Sequence, residues 1–518
     1  MKKNRLAAID IGTNSIRCIV VEVTKDGKFR VLDDEKATVR LGEGLATSGR
    51  IAEAAWDRAM DALTRMKKIV DGYGVKAVEA VATSAVRKAE NGEDFIAAIA
   101  DQVGVAVAVI SGEEEAELAA LSVRNHFDME GVRYAMIDIG GGSLEVVTAL
   151  GSHIEEIYSF ELGAVFLTEK FISDDPVTPA DLDKLRRHVR SSLKEVFGGE
   201  RLQIQCLVGS GGTITSIAAM AMAMHNEGYG SVHRYEVLRS EVVHLLAMLT
   251  RKDVKARREV PGLNPDRADI IVAGITVVDE LMRFFDVNLL RVNERGIREG
   301  LIIKSLRKHE LLAGGEVTLT WRDSVLEFAR SCHTDEEHAL HVALLALQIF
   351  DALDPVCKMG ESGRRMLEAA AILHDVGYFI NYSSHHKHSY HLIRHADLFG
   401  FTPREREIIA NVARYHRKAL PKKKHEAYVR LAEPDRQLVS RLGGILRLAD
   451  GLDRRRSGVV SGVRCSLSRG TFIVSLASSE DISVELFGGK LKGDLLEEAF
   501  KTRLLLAAEP SLAAVSAA

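Results

Sequence analysis

Ala8-Ile9-Asp10-Ile11-Gly12-Thr13-Asn14-Ser15-Ile16 returns as Met136-Ile137-Asp138-Ile139-Gly140-Gly141-Gly142-Ser143-Leu144, with Asp, Gly and Ser in register 128 residues apart. In each copy an apolar, strand-like run ends in Asp-Ile-Gly and passes into small or hydroxylated residues, so a strand runs into a tight turn. Glycine lets the backbone approach a ligand closely and aim successive N–H groups at a phosphate, and the flanking hydroxyls add donors. A carboxylate at the strand end can hold Mg²⁺, which prefers one or two carboxylates plus substrate oxygens. The repetition predicts two homologous lobes facing each other across a cleft. A third Gly-rich turn, Gly209-Ser210-Gly211-Gly212-Thr213, follows the apolar pair Leu207-Val208 and opens a helix at Ile214.

Outward from these turns, the first three hundred residues alternate β-branched runs with helical patterns, which is the signature of α/β layering. After Lys308 the texture changes. Ala313-Gly314-Gly315-Glu316 reads as a linker, and from Trp321 the pattern is helical, with amphipathic segments at His338 to Leu353 and Arg364 to His374. Of the 18 histidines, 11 fall between His333 and His425. From Ser461, alternating runs at Thr471 to Leu476 and Ile482 to Leu486 predict strands, followed by a helix from Asp494 to Leu506. The expected organisation is an α/β pair of lobes at residues 1–125 and 126–305, an all-α domain at 315–456, and a small α+β domain at 457–518.

Composition narrows the function. The chain is 46% hydrophobic and 27% charged with a formal charge of -4, which leaves no global basic field for nucleic acid. A polyanion would have to be held by local cations, and Arg414-Tyr415-His416-Arg417-Lys418 with Lys422, Lys423 and Lys424 supplies such a run. Asp10 interrupts the first apolar stretch after four residues, which argues against a signal peptide and for a cytoplasmic protein. No apolar stretch is expected to reach the roughly 18 residues that span a membrane; Ile214 to Met224 and Ile270 to Val278 are core-sized. Five scattered cysteines with no Cys-x-x-Cys read as buried thiols in a reducing compartment.

Together the three turns resemble the phosphate-1, phosphate-2 and nucleoside motifs of the actin and hexokinase superfamily. Five further segments resemble the exopolyphosphatase and guanosine pentaphosphate phosphatase family: Ala82 to Arg87, Val109 to Leu118, Ile137 to Glu145, Glu161 to Val165, and Gly296 to Gly300. The resemblance implies two ribonuclease-H/actin-like lobes around a cleft and a C-terminal HD-like domain. It implies hydrolysis of a terminal phosphoanhydride with Mg²⁺, acting on inorganic polyphosphate or, as the alternative, guanosine pentaphosphate, in a homodimer.

Carried over by position, the family's catalytic glutamate is Glu115, the general base that deprotonates the attacking water. Asp10, Asp138 and Glu145 take the metal or orient water. Gly12, Thr13, Asn14, Ser15, Gly140, Gly141, Gly142, Ser143, Gly209, Ser210, Gly211, Gly212 and Thr213 line the phosphates, with Arg87 and Arg267 as clamps. The residues alone also permit plainer roles. Ser111 to Glu115 reads as a capped helix N-terminus, Glu145 as an exposed strand residue, and Arg87 as a solvated arginine. An ATP-dependent kinase or a silent nucleotide sensor would use the same superfold.

In the helical region, His338, His374-Asp375 and Asp450 resemble the HD phosphohydrolase pattern. That pattern implies a divalent transition metal held by these four residues, with His388 and His416 as further ligands in a dinuclear version. In the exopolyphosphatase family, however, the region is implied to guide substrate and not to catalyse.

Overall fold

The first copy of the repeat forms β1 (Arg5–Ile11) and β2 (Ser15–Val23), joined by the tight turn. With β3 (Phe29–Thr38), β4 (Ala77–Ala82) and β5 (Ala108–Val109) they make a mixed sheet in the order β3-β2-β1-β4-β5. The computed structural model describes residues 4–24, 29–198, 202–308, 320–468 and 470–508. The expected linker at Ala313 to Glu316 lies outside the described residues.

The second copy forms β6 (Arg133–Ile139) and β7 (Leu144–Leu150) in a sheet with β8 (His153–Phe160), β9 (Cys206–Ser210), β10 (Glu236–Leu238) and β11 (Leu289–Val292). Its order, β10-β11-β9-β6-β7-β8, repeats the first sheet's connectivity and adds β10 at the edge. The duplication therefore extends beyond the nine-residue motif to a whole sheet. It extends to the turns as well: Gly12 N–H donates to the Ser15 carbonyl at 3.2 Å, and Gly140 N–H to the Ser143 carbonyl at 3.0 Å.

β1 is apolar on both sides because both faces are covered, as a central strand of an α/β sheet requires. Ala7, Ile9 and Ile11 pack on the helix Glu53–Gly72 through Ala59, Leu63 and Met66. Leu6 and Ala8 pack on the other side against Leu301, Ile302 and Leu306. Those three residues belong to the helix Ile297–Lys308, which the expected boundary at 305 assigned to the second lobe. By packing it belongs with the first sheet, so the chain crosses back after completing the second. Gly300 permits the crossing, since a Cβ there would lie 2.1 Å from the Leu118 carbonyl oxygen.

Among the described residues, those from 320 to 508, with Tyr229–Ser231, form a separate compact unit. Its helices include Trp321–Ser331, Glu336–Cys357, Gly360–Leu373, His385–His395, Pro403–Arg414 and Glu433–Leu452. β12 (Gly462–Ser468), β13 (Thr471–Ala477) and β14 (Arg503–Ala508) complete it as a three-stranded sheet. Phe472, Val474, Leu476, Leu495 and Leu496 share one core with Leu345, Leu367 and Leu446 of the helices, so the expected separate domain at 457–518 is a layer of the same unit.

Three sequence expectations change here. Ile482 to Leu486 alternates like a strand, yet Ser483–Lys492 is a helix: Glu485 is fully buried on Arg455, and Gly488 packs on helix Glu433–Leu452, where a Cβ would meet the Gly451 carbonyl oxygen at 2.4 Å. The helix at Asp494 ends at Phe500, where Lys501 takes a left-handed backbone, and residues 503–508 become β14, parallel to β13. The 22-residue helix Glu336–Cys357 is, by length and composition, long and apolar enough to cross a membrane, contrary to expectation. Its Val342, Leu345, Ile349, Phe350 and Leu353 are core side chains of the helical unit.

Candidate active site

Strand pairing brings the acids of the two repeats together. Asp10 at the end of β1 sits opposite Arg17 of β2, and Asp138 at the end of β6 sits opposite Glu145 of β7. The two turns meet across a cavity of about 100 Å³ that Asp10, Arg17, Glu115, Asp138, Arg267 and Arg298 help to line, room for several water-sized groups. The approach is close: a Cβ on Gly141 would lie 2.9 Å from Thr13 Cβ, and one on Gly142 2.6 Å from Ser84 Oγ. Among the described residues, the N–H groups of Thr13, Asn14, Gly141 and Gly142 make no hydrogen bond. They form a donor concavity of the kind that suits an anion.

Ser111 caps the helix Gly112–His126 through a capping box, accepting from Glu114 N–H at 3.1 Å while Glu114 accepts from Ser111 N–H at 2.9 Å. That explains Ser111 and Glu114 as helix chemistry. Glu115 is different. It is only 5% exposed, on the inward face of the first turn, and its Oε2 makes no hydrogen bond. Burial, then the carboxylates of Glu145, Asp10 and Asp138, hold its carboxyl well above the ordinary range. The same forces push Asp138 up to about 7 and Glu145 up to about 8, while burial raises Asp10.

Asp10 Oδ1 and Glu145 Oε2 are likewise buried without a hydrogen-bond partner. Orphaned carboxylate oxygens beside unused N–H donors are a hard-oxygen environment, and they fit Mg²⁺ together with phosphate oxygens.

Not every expected site residue faces the cavity. Glu145 is fully buried behind Asp138, where Ser159 Oγ donates to it at 3.3 Å, so the reading of an exposed strand residue does not hold. Arg87 lies 3.6 Å from Glu115 Oε2 and donates to the Ile110 carbonyl; it faces the acid and is not part of the lining. Gly211 and Gly212 line the cavity, whereas Gly209, Ser210 and Thr213 sit behind them. Ser210 takes a hydrogen bond from Asn293 at 3.1 Å, and Thr213 packs under Gly274.

Arg267 lies directly over Gly212, where a Cβ would fall 1.9 Å from its Nη2. Arg17, absent from the sequence reading, is its companion. Among the described residues neither has a carboxylate within 4 Å, and burial with mutual repulsion draws Arg267 down to about 10. A half-buried and a buried guanidinium whose neighbouring aspartates all stand beyond ion-pair distance favour an anion between them. Arg17, Glu294, Arg295 and Arg298 also border a second cavity of about 420 Å³, to which Lys36 adds its ammonium.

In the helical unit His338, His374 and Asp450 converge, and so do Asp375, His385 and His416, all of them buried or nearly so. His385 takes the place expected of His388, which sits outside the cluster and is partly exposed. Of the basic run, Tyr415 and His416 turn inward while Lys418, Lys422, Lys423 and Lys424 are exposed.

Two pseudo-equivalent lobes with an acidic centre, unused turn N–H groups and unpaired arginines define a phosphoryl-processing enzyme of the actin-like class. Residues 19–309 match the Ppx/GppA phosphatase family and residues 322–486 the Ppx/GppA phosphatase domain III. The chain belongs to the Ppx/GppA phosphatase family. It is 33% identical over 317 residues to exopolyphosphatase 2 of Mycobacterium tuberculosis, covering 58% of this chain and 99% of that protein. It is 32% identical over 304 residues to exopolyphosphatase 1 of the same organism, covering 58% of this chain and 88% of the relative. Among solved structures, an Aquifex aeolicus Ppx/GppA family member is 30% identical with a TM-score of 0.52, over 59% of this chain and 99% of its own. An exopolyphosphatase from Cytophaga hutchinsonii is 29% identical with a TM-score of 0.56, over 59% and 98%.

Proposed function

We propose that the chain is an exopolyphosphatase that cleaves the terminal phosphoanhydride of inorganic polyphosphate, releasing orthophosphate and a chain one phosphate shorter. The observation that carries this reading is Glu115: a buried carboxylate on the cavity wall whose Oε2 makes no hydrogen bond and has Arg87 at 3.6 Å, with its proton affinity raised by burial and then by the acids around it. A carboxyl tuned upward is a better proton acceptor near neutral pH. The two named relatives, both exopolyphosphatases, favour polyphosphate over guanosine pentaphosphate.

In this reading the terminal phosphate enters between the Gly12–Ser15 and Gly140–Ser143 turns. The N–H groups of Thr13, Asn14, Gly141 and Gly142 and the guanidiniums of Arg17 and Arg267 hold its oxygens. Asp10 and Asp138 would hold Mg²⁺, with Glu145 behind Asp138 as the acid that orients it, and the ion, when bound, offsets charge on the phosphate oxygens. Glu115 takes a proton from the water that attacks the terminal phosphorus as the bond to the bridging oxygen breaks. Arg87 orients Glu115. Arg298, Arg295 and Lys36 along the second cavity receive the following phosphates.

The helical unit is read as HD-like, with one transition-metal ion on His338, His374, Asp375 and Asp450. A homodimer follows from the family resemblance. Five free cysteines, three of them buried, support a reducing, cytoplasmic setting. The deciding experiment measures phosphate release from long polyphosphate, guanosine pentaphosphate and ATP with Mg²⁺. Fastest release from polyphosphate is expected; preference for either nucleotide, or phosphate transfer from ATP to an acceptor, would sink the reading.

A further inference from the structure

The loop that follows β3 is built onto the first phosphate turn. Val39 N–H and Arg40 N–H donate to the Asn14 carbonyl at 3.1 and 3.0 Å, and Gly42 N–H donates to the Thr13 carbonyl at 2.9 Å. These bonds take up the carbonyls of the turn and leave its N–H groups to the cavity. The packing is close, since a Cβ on Gly42 would lie 2.3 Å from Thr13 Cγ2. Arg40 itself has a φ of 54°, a left-handed backbone that a residue with a Cβ keeps only where its surroundings impose it.

From this loop the Arg40 side chain crosses to the second lobe. Its Nη1 donates to Asp269 Oδ2 at 2.6 Å, and its Nη2 to Asp269 Oδ1 at 3.3 Å and to the Asp266 carbonyl at 3.2 Å. Thr38 Oγ1 adds a hydrogen bond to Asp266 Oδ2 at 3.1 Å. Between these two acids in the chain stands Arg267, at the end of the 3₁₀ turn Pro265–Arg267, with its guanidinium over Gly212. Asp269 and Asp266 are among the acids whose charge reaches Arg267, yet both carboxylates are engaged by Arg40 and Thr38. The Arg40 and Asp269 side chains are 35% and 31% exposed, and a pair so open to solvent adds little to stability. Its forked geometry, however, fixes orientation.

We propose that Arg40 is a positioning residue for the phosphate site: it ties the Asp266–Asp269 segment to the first turn, so that Arg267 and the N–H groups of Thr13 and Asn14 meet one anion together. The proposal rests on the anion site read above and adds the link between its two walls. Arg40 does not touch the anion; it acts through Arg267. Without the tie, Arg267 must be ordered anew at each binding event, and that ordering is charged against affinity. A residue acting through another has no effect once the other is gone, which separates positioning from a general attraction between Arg40 and the anion.

The test is a double-mutant cycle on the full chain, titrated calorimetrically with methylenediphosphonate in the presence of Mg²⁺. The P–C–P bridge of this probe is not hydrolysed, so the result does not depend on which phosphoanhydride the protein cleaves. Arg40→Gln is expected to bind about tenfold more weakly than wild type, and Arg40→Gln with Arg267→Ala no more weakly than Arg267→Ala alone. Wild-type affinity in Arg40→Gln overturns the proposal, as does a loss in the double variant equal to the product of the two single losses. A wild type that does not bind the probe, or an Arg267→Ala that binds it as tightly as wild type, overturns it too. In turnover of polyphosphate, Arg40→Gln should raise KM with kcat nearly unchanged; a lower kcat at wild-type KM overturns the proposal. If polyphosphate is not cleaved while the cycle behaves as expected, the activity falls and the role of Arg40 stands. Should Arg40→Gln fail to fold, Arg40→Lys replaces it, keeping the charge and losing the fork; affinity equal to wild type then overturns the proposal.

Discussion

Raising the pH of the metal-stripped protein from 5 to 8 is expected to destabilise the two-lobed unit through its buried acids Glu115, Glu145 and Asp138, all held above their ordinary range; Asp138 sets the scale. Its carboxyl is displaced from 3.8 to about 7, first by burial and then by Asp10. The folded value is the higher one, so the folded state keeps a proton that the unfolded chain has released, and stability falls as pH rises through the interval between them. At about 1.36 kcal/mol per pH unit, the whole interval is worth about 4 kcal/mol, of which about 3 kcal/mol falls between pH 5 and 7. Glu145, pushed up to about 8, prolongs the decline; because Asp138 is among the causes of its shift, the two losses do not add.

The two tryptophans make this measurable, since Trp56 lies in the first lobe against Phe95, with ring centroids 4.9 Å apart, and Trp321 lies in the helical unit. In a Trp321→Phe protein, Trp56 fluorescence follows urea unfolding of the two-lobed unit alone. With EDTA the midpoint should drop steadily from pH 5 to 8, Mg²⁺ should restore more of it at pH 8 than at pH 5, and Asp138→Asn should flatten the profile. A flat profile in EDTA, or an Asp138→Asn slope equal to that of wild type, refutes the reasoning.

Glu115→Gln should lower kcat for phosphate release by about 10²–10⁴-fold, the usual contribution of a positioned base, with KM for polyphosphate little changed; steady-state kinetics would reveal an unaltered kcat if the base lies elsewhere. Gly212→Ala should leave the Trp56 unfolding midpoint near wild type while raising KM, because its Cβ collides with the movable end of Arg267 and not with backbone. Arg267→Ala should reproduce that KM, and a normal KM in either variant removes the arginine from the phosphate site. Gly488→Val, facing the Gly451 carbonyl oxygen at 2.4 Å, should cost the helical unit about 1–3 kcal/mol, the range for overpacking. Trp321 fluorescence in a Trp56→Phe background reads that loss, and an unchanged midpoint contradicts the close helix crossing.

Asp10 and Asp138 were legible because a strand ending in Asp-Ile-Gly leaves the same local pattern twice, and locally encoded turns survive translation into structure. Arg17 was not legible in the same way. It sits inside β2 and reaches the cleft only because antiparallel pairing sets it opposite Asp10, a relation of register and not of sequence adjacency. Glu145 was named from resemblance, but its depth comes from β8 and the helix Gly112–His126 covering β7. His385 was overlooked in favour of His388 because both lie in one histidine-rich helix, and only the helix orientation selects between positions three apart. Ile482 to Leu486 misled because a salt-bridged Glu485 counts as polar in the pattern while lying wholly inside.

Arg17 and Glu145 occupy the same place in the two repeats, each facing its own aspartate across a strand pair. A duplicated half-fold begins as a symmetric object, and symmetry gives both walls of a cleft one character: twice acidic, which repels an anion, or twice basic, which has no seat for a cation. Opposite charges at this one position break the equivalence. In the proposed reading the half with Arg17 is the wall that draws in a polyanion, and the half with Glu145 behind Asp138 is the wall that holds cation and proton, so the direction in which the substrate faces its attacking water would follow from the divergence of a single pair of sites.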